Sequence, residues 1–385
     1  MSCRTIPVFI PRPHPGSSIE ACVQLPQRPR MTQQFTGIQI LRFVAAMLVV
    51  VMHTTQAVSV YITGQGHGHY WGNGSAGVDI FFVISGFVMA MSTRNSPSAG
   101  PASLAAAGVF MKRRLLRIVP LYWFYTLLKV ALLLALPALA TRSSVEAGHL
   151  AASLLFVPAM SPWGLIEPTL PVGWTLNFEM LFYAVFAIAL ALGLPRIRFC
   201  LLVFLFVFLA GQQAPQFTAL AFYAQSIVFE FILGVVIAHA WLHYREAPPA
   251  MGPIAVAAGL MLMFGIGWDA STDRFLTWGC GAALVVAGAV WLEPWTARSR
   301  LAAPLSFLGD ASYSIYLSHT FVVPAGVLAL RQLGVQDSLL VVPAIGLAVM
   351  AVGGLSYVWI ERPMTVFLKR TLFRAPPFSY QGPGK

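Results

Sequence analysis

Charged residues are scarce in this sequence. Asp, Glu, Lys and Arg together make up 10% of the 385 residues, against about 25% in ordinary soluble domains. Hydrophobic residues make up 58%, and the mean hydropathy is +0.74. Because so few charges cannot cover a water-exposed surface, the composition argues against a soluble enzyme and predicts an integral membrane protein that crosses the bilayer several times.

Cysteine is also sparse, and its spacing carries no metal or disulfide signature. The sequence has no C-x-x-C pair and no cluster of cysteine with histidine; its cysteines are Cys3, Cys22, Cys200 and Cys280. Zinc sites and disulfide frameworks both need cysteines in characteristic spacings. We therefore expect neither, and no metal.

Apolar runs long enough to cross a membrane recur along the chain. A hydrocarbon core of about 30 Å needs roughly 20 apolar residues in a helix. On this template the sequence predicts an all-α integral membrane protein, a bundle of about ten transmembrane helices. The predicted spans are 38–59, 76–93, 115–138, 174–193, 197–212, 222–242, 252–268, 275–292, 310–330 and 338–359. The apolar run 150–158 is too short to span, so we expect a buried re-entrant or interfacial piece within a long loop, 139–173.

The basic residues predict the topology. With an even number of spans, both termini share one side, and placing them in the cytoplasm puts 20 of the 24 Lys and Arg in cytoplasmic segments. This asymmetry is what the positive-inside rule describes. It also accounts for the net charge of +11, so we expect no nucleic-acid partner. The expected location is the cell inner membrane.

Three segments are expected along the chain. Residues 1–35 are rich in proline and arginine and predict a disordered cytoplasmic tail. Met31 in this tail is an alternative start to Met1. Residues 36–365 form the membrane domain, and 366–385 form a cytoplasmic C-terminal tail.

Arg42 and His53 stand at the two ends of one apolar run in the first predicted helix. Eleven residues correspond to about 16 Å of rise and about 1100° of rotation, which leaves both side chains within roughly 20° of one face. Arg42 alone could be an interface anchor, and a lone histidine could be a packing residue. Ionisable residues inside a span usually face a cavity or a partner, which favours a functional His53.

Glu179 is a carboxylate expected about a turn and a half inside the bilayer. Its predicted helix, 174–193, runs inward from the outer surface, so Glu179 is expected at a depth comparable to that of His53 if both helices are upright. A buried carboxylate needs a partner, and we expect that partner to be His53. Ser85 and Gly86, in the middle of the second predicted helix, are expected to permit close helix packing.

Arg114 and Arg117 share one face at the cytoplasmic start of the third predicted helix. Positive-inside anchoring is the ordinary explanation, and it is the preferred one for Lys112 and Arg113. Together with Arg42, however, Arg114 and Arg117 could form a phosphate clamp at the inner face of the membrane.

Other polar residues have ordinary structural explanations. Asp79 falls at the start of the second predicted helix, where an acidic residue caps the first turn. Tyr313, Tyr316 and His319 recur every three residues in the ninth predicted helix. They predict a stripe of packing and hydrogen bonding.

These stretches together resemble acyltransferase family 3, a family of integral membrane O-acyltransferases. The family hallmark is an arginine, ten intervening residues and a histidine in the first helix, which Arg42 and His53 match. The blocks "GVDIFFVISGF", "RRLLRIVPLYW", "GWTLNFEMLFY", "SYSIYLSH" and "IERP" also match, in the family's order. The resemblance covers about 36–365 and looks most like stand-alone exopolysaccharide acetyltransferases of the succinoglycan-modifying type.

The resemblance implies transfer of a short acyl group, acetyl from cytoplasmic acetyl-CoA, to a hydroxyl of an exopolysaccharide or lipid-linked saccharide. The expected ligands of the acyl-CoA phosphates are Arg42, Arg114 and Arg117. His53 would act as a general base or would itself be acylated, with Glu179 orienting it. The expected supporting residues are Asp79, Trp174, Asn177, Tyr316 and His319. Of these, Tyr316 and Asn177 are the expected oxyanion donors.

Two other functions stay open at this point. A transporter of saccharide or acyl donor would use the same charged groove, but it would need alternating access, and the sequence shows neither an inverted repeat nor a broken-helix pair. A scaffold in a polysaccharide complex would tolerate substitution of Arg42 and His53. The expected partners are acyl-CoA, a glycan or lipid-linked saccharide acceptor, the lipid bilayer and polysaccharide assembly machinery.

Overall fold

The protein is a bundle of helices. A computed structural model describes residues 35–66, 70–94, 102–136, 145–244, 248, 250–265 and 274–372. Within these residues, eight helices are long and apolar enough to cross a membrane, and two shorter apolar helices, Met251–Gly265 and Phe275–Trp291, lie where the seventh and eighth spans are predicted. The only strand pairing in the described part is an isolated bridge between Met160 and Ile166. The prediction of an all-α membrane bundle is confirmed.

Fifteen α-helices are present in the part of the chain that the structure describes. They are α1 (Thr36–Tyr61), α2 (Ala76–Ser92), α3 (Leu104–Ala135), α4 (Ala147–Leu154), α5 (Trp174–Leu192), α6 (Arg196–Gln213), α7 (Thr218–Tyr223), α8 (Glu230–His243), α9 (Met251–Leu260), α10 (Cys280–Trp291), α11 (Glu293–Thr296), α12 (Ala302–Asp310), α13 (Ser312–Gln332), α14 (Ser338–Ser356) and α15 (Arg362–Leu372). A π-helical turn, Tyr357–Glu361, joins α14 to α15 without a break.

Two helices extend beyond their predicted ends. Helix α3 begins at Leu104, not near residue 115, and the side chain of Ser103 caps it by accepting a hydrogen bond from Ala106 N (3.1 Å). The last helix continues past residue 359 and through the expected domain boundary at 365 to Leu372. Both extensions carry polar and basic residues, which an apolar template excludes. Residues 1–34 and 373–385 of the expected tails lie outside the described part.

The short run at 150–158 forms α4 and the chain that follows it. Helix α4 is only eight residues long. The hydroxyl of Tyr122 in α3 donates to the carbonyl of Ser153 (3.2 Å), and the indole N–H of Trp123 donates to that of Leu154 (2.9 Å). The long connection before α5 is therefore attached to α3. Its depth in the bilayer stays a prediction.

Helices α2 and α8 cross in direct backbone contact. A Cβ added to Gly86 would collide with the carbonyl oxygen of Phe231, and one added to Gly234 would collide with that of Val83. Only glycine permits this approach. The expectation that Gly86 allows close packing is confirmed. The contact with α8 also fixes the position of α2, which carries residues of the candidate site.

The largest buried core lies where α2, α5 and α8 meet. The rings of Phe182 and Phe231 stack with centroids 4.5 Å apart, and Phe82 packs edge-on against Phe182 at 5.6 Å. All three side chains are buried. This aromatic packing places α2 and α5 side by side.

The start of α1 is held by a residue distant in the sequence. The carboxylate of Glu293 accepts hydrogen bonds from the backbone N–H groups of Thr36 (2.8 Å) and Gly37 (2.9 Å). The first N–H groups of a helix have no partner within it, and an acidic residue at this end also complements the helix dipole. Glu293 therefore fixes the beginning of the helix that carries Arg42 and His53.

Candidate active site

A cavity of about 650 Å³ lies among α1, α2, α3, α5, α13 and α15. We call it the cationic cavity. Its polar lining residues are Gln39, Arg42, Ser85, Arg113, Arg114, Arg117, Thr175, Glu179, Tyr183, Tyr313, Tyr316, Thr365 and Lys369. The volume falls within the range of about 300–1,000 Å³ that ligand sites occupy.

Charge in this lining is strongly one-sided. Five cations face a single carboxylate, Glu179. The cations lie near the end of the bundle at which α1 begins, which we call the Arg42 end. Clustered guanidinium and ammonium groups bind phosphates through charge-assisted hydrogen bonds. Sequence reasoning predicted three of these cations and missed a role for Arg113, assigned to anchoring, and Lys369, assigned to the tail.

Arg42 and Arg114 reach the cavity with modest protein contacts. The guanidinium of Arg42 donates to the side chain of Gln39 (3.1 Å). That of Arg114 donates to Ser92 Oγ (2.8 Å) and lies over the ring of Tyr183, 5.8 Å from its centroid. Neither contact neutralises the positive charge, so both arginines remain available to an anion.

Arg117 is bound differently. Its Nη1 forms an ion pair with Glu361 (2.7 Å), whose side chain is 2% exposed. The other oxygen of Glu361 accepts a hydrogen bond from Ser314 Oγ (2.7 Å). Among the described residues, the buried Nη2 of Arg117 has no hydrogen-bond partner. Arg117 therefore joins α3 to the π-helical turn before α15 while its second nitrogen stays uncommitted.

Glu179 has partners other than the one expected. Its carboxylate accepts hydrogen bonds from Ser85 Oγ (3.1 Å) and from the hydroxyl of Tyr183. The hydrogen bond to His53 is not formed. The reason lies in depth, because the residue of α5 that contacts Tyr316 is Thr175, and Glu179 lies four residues, about 6 Å, farther toward the Arg42 end.

His53 is paired with a second histidine. Its Nδ1 is 3.3 Å from Oε1 of Gln56, and its ring stacks on that of His319 with centroids 5.1 Å apart. We call His53 and His319 the histidine pair. The ring of His319 is in turn 5.7 Å from that of Tyr316. The cationic cavity reaches Tyr316 and Thr175, so one aromatic contact links its inner end to the histidine pair.

Of the two expected oxyanion donors, Tyr316 is hydrogen-bonded to the protein. The hydroxyl of Tyr316 donates to the backbone carbonyl of Val172 (3.0 Å) and meets Thr175 Oγ1 (3.1 Å). Asn177 is buried, and its Oδ1 has no hydrogen-bond partner in the described part of the chain. Trp174 packs edge-on against Phe178 at 5.9 Å, a structural contact.

Asp79 lies in a buried charge cluster that the sequence did not reveal. Its two oxygens accept hydrogen bonds from Nε (3.0 Å) and Nη2 (2.7 Å) of Arg274, whose guanidinium also lies over the ring of Trp278 at 5.0 Å. Asp79 lies in the first turn of α2, as expected, but the N-cap position is occupied by Ser75, and the carboxylate of Asp79 pairs with Arg274. Glu230 is fully buried, its carboxyl group lies within hydrogen-bond reach of that of Asp79, and no N–H or hydroxyl group of the described residues donates to either of its oxygens.

The two carboxylates of this cluster are expected to differ in their effect on stability. Asp79→Asn removes the charge partner of Arg274; because the Arg274 side chain is 27% exposed, the expected cost is about 1.5–3 kcal/mol, the range for hydrogen bonds to charged groups. Glu230→Gln keeps the shape and removes a carboxylate that lacks an ion-pair geometry, so a loss below about 1 kcal/mol is expected. Thermal unfolding of both purified variants in detergent measures the difference, and equal losses would contradict the assignment of the ion pair to Asp79.

The sequence is similar to one protein family and to proteins of two bacteria. A family model described as an acyltransferase domain matches residues 35–358. The exopolysaccharide production protein ExoZ of Rhizobium meliloti (strain 1021) is 39% identical over 301 residues, which cover 77% of this chain and 91% of that protein. The acyltransferase MdmB of Streptomyces mycarofaciens is 28% identical over 387 aligned residues, which cover 90% of this chain and 95% of that protein. No solved structure matches the chain.

Proposed function

The chain belongs to acyltransferase family 3, and we propose that it transfers an acetyl group from cytoplasmic acetyl-CoA to a hydroxyl of an exopolysaccharide or lipid-linked saccharide. The observation that carries the proposal is the cationic cavity, whose inner end contacts the histidine pair through Tyr316. The similarity to ExoZ, an exopolysaccharide production protein, supports a polysaccharide acceptor.

The Arg42 end of the bundle is the cytoplasmic end in this proposal. The positive-inside distribution of Lys and Arg supports this orientation, with both termini inside and the protein in the cell inner membrane. Acetyl-CoA then enters from the cytoplasm. The saccharide reaches the histidine pair from the opposite direction, so donor and acceptor meet within the bundle.

The donor would lie along the cationic cavity. Its phosphates would contact Arg42, Arg113, Arg114 and Lys369, because guanidinium groups bind phosphate oxygens in pairs and an ammonium adds a point charge. The pantetheine arm would follow the apolar wall toward Tyr316; that wall comprises Val78, Phe81, Phe82 and Leu176. The acyl group would then stand next to the histidine pair.

His53 would act as the general base. If its Nδ1 carries the proton and the N–H donates a hydrogen bond to Oε1 of Gln56, its Nε2 presents a lone pair. Nε2 takes the proton of the acceptor hydroxyl as that oxygen attacks the thioester carbon. The C–S bond breaks, and the proton passes from His53 to the departing sulfur. Acylation of His53 itself would use the same nitrogen.

Glu179 would act on the donor side of the site. Its carboxylate accepts hydrogen bonds from the hydroxyl groups of Ser85 and Tyr183. The ring of Tyr183 in turn lies under the guanidinium of Arg114. Glu179 is therefore a positioning residue for the wall of the cationic cavity. It balances part of the cationic charge without neutralising it.

A reconstitution experiment tests the function. Purified protein in liposomes is given acetyl-CoA labelled in the acetyl group, together with a polysaccharide acceptor. Covalent label on the saccharide is the expected result, and liposomes without protein are the control. Label that crosses the bilayer and stays on CoA would identify a transporter. If unlabelled saccharide is recovered under conditions where the protein is folded and binds acetyl-CoA, the proposed acceptor is wrong.

A further inference from the structure

His319 is a buried imidazole in contact with the rings of two other residues. It lies in α13 with 1% of its surface exposed, and within the described residues neither ring nitrogen has a hydrogen-bond partner. The carbonyl groups of Ile315 and Tyr316 are near the ring but outside hydrogen-bond geometry. Buried polar atoms are almost always satisfied, and an imidazole has one donor and one acceptor to satisfy. This side chain therefore keeps hydrogen-bonding capacity that the protein does not use.

His319 lies close to the place where the reaction is proposed to occur. Its ring stacks on that of His53 at 5.1 Å and contacts the ring of Tyr316 at 5.7 Å. Tyr316 belongs to the lining of the cationic cavity. His319 thus touches both the proposed base and the inner end of the donor cavity.

The hydroxyl groups near this end are already engaged with the protein. Tyr316 donates its hydroxyl hydrogen to the carbonyl of Val172, and Thr175 Oγ1 donates to the same carbonyl at 3.0 Å. A developing oxyanion needs a donor that is positioned in advance and not committed elsewhere. His319 meets this requirement, whereas Tyr316 does not.

We propose that His319 is a second catalytic residue, whose N–H hydrogen-bonds the carbonyl oxygen of the donor thioester. The proposal rests on the proposed function. As the acceptor oxygen attacks the carbonyl carbon, the carbonyl π electrons move to that oxygen, and the His319 N–H stabilises the negative charge. The C–O double bond re-forms, the C–S bond breaks, and the sulfur receives the proton that His53 took from the acceptor. His319 neither gains nor loses a proton.

The stacking of the two rings explains why one histidine accepts the proton and the other stays neutral. Two positively charged imidazoles in contact would repel each other in a medium of low dielectric constant. One member of the histidine pair can carry the transferred proton only if the other stays neutral. A neutral imidazole still offers one N–H, which suffices for an oxyanion.

Substitutions at His319 separate a donor from a packing residue. His319→Asn places an N–H near the Nδ1 position and His319→Gln near the Nε2 position, whereas His319→Leu and His319→Phe offer none. We expect the variants without a donor to lose about 10²–10³-fold in kcat, whereas the KM for acetyl-CoA should rise by no more than about tenfold, because the hydrogen bond is weaker in the ground state than in the transition state. At least one of the amide variants should recover tenfold or more over His319→Leu.

A binding measurement tests the same contact without turnover. Two unreactive analogues of acetyl-CoA are compared, one in which a methylene replaces the sulfur but the carbonyl is kept, and S-ethyl-CoA, which has no carbonyl. His319→Leu should weaken binding of the carbonyl analogue about tenfold and leave S-ethyl-CoA unchanged. Equal effects on both analogues would overturn the role of His319 and leave the proposed function standing.

The remaining outcomes are also decisive. If the unsubstituted protein binds neither analogue, the donor assignment fails and the role of His319 fails with it. If a variant without a donor folds and keeps turnover, or if the amide variants lose as much as His319→Leu, His319 is not the oxyanion donor. Loss of folded protein in every variant would assign His319 to packing of the histidine pair and overturn the proposal.

Discussion

Replacing His53 with alanine is expected to lower acyl transfer by about 10²–10⁴-fold, the contribution of a positioned general base. No other described imidazole both stacks on His319 and has a partner at Nδ1. The variant should insert into the membrane at normal abundance, since alanine suits a transmembrane helix. Labelled acetate on the saccharide, measured per folded protein, gives the result.

Gln56→Leu is the matched control for His53→Ala. It removes the hydrogen-bond partner of Nδ1 but leaves the imidazole in place. Because the orientation and tautomer of the ring are then less well fixed, we expect a loss of about tenfold, well below that of His53→Ala. Acyl transfer that persists in His53→Ala, or equal losses in the two variants, would contradict the assignment of the base.

The apolar pattern predicted the transmembrane helices well and their polar extensions poorly. Helices α1 and α2 lie close to the predicted positions because each contains an apolar run long enough to cross a hydrocarbon core. Helices α3 and α15 continue through basic residues. A template of apolar length treats such residues as loop, so the helix that carries Lys369 was assigned to a tail.

Most of the cationic cavity was predictable, and its connection to His53 was not. Arg42, Arg114, Arg117 and Glu179 line one cavity, as expected from residues that ionise inside or next to spans. The depth of Glu179 was misjudged because residues 170–173 fold into the protein, where Leu170 and Val172 are buried. Counting residues along a helix gives depth only when the helix begins at the surface.

The charge cluster around Asp79 could not be predicted from the sequence, because its members are far apart along the chain. Asp79 is 195 residues from its partner Arg274, and Arg274 falls in what the sequence predicts to be an outer loop. Hydrogen bonds between such distant positions follow from helix packing, not from local pattern. The same is true of Glu361, whose pairing with Arg117 spans 244 residues.

Arg114→Gln is expected to weaken acetyl-CoA binding, whereas Arg117→Gln is expected to lower the stability of the protein. The hydrogen bond and ring contacts of Arg114 with the described residues are all to neutral groups, so its loss should raise the KM for acetyl-CoA about 10–100-fold, the equivalent of one charge-assisted hydrogen bond, without reducing the folded yield. Arg117→Gln leaves Glu361 buried without its ion-pair partner, which should cost about 3 kcal/mol in stability. Thermal unfolding and donor kinetics on both variants make the comparison.

The double variant Arg117→Gln with Glu361→Gln separates the two functions of Arg117. It removes both charges, so much of the lost stability should return, because the cost lies in the unpaired carboxylate. Its KM for acetyl-CoA then reports whether the uncommitted Nη2 faces a phosphate. A KM raised tenfold in the stable double variant assigns Arg117 to both the bundle and the donor. An unchanged KM confines Arg117 to joining α3 to the helix end that carries Glu361, and Arg42, Arg113, Arg114 and Lys369 then bind the phosphates without it.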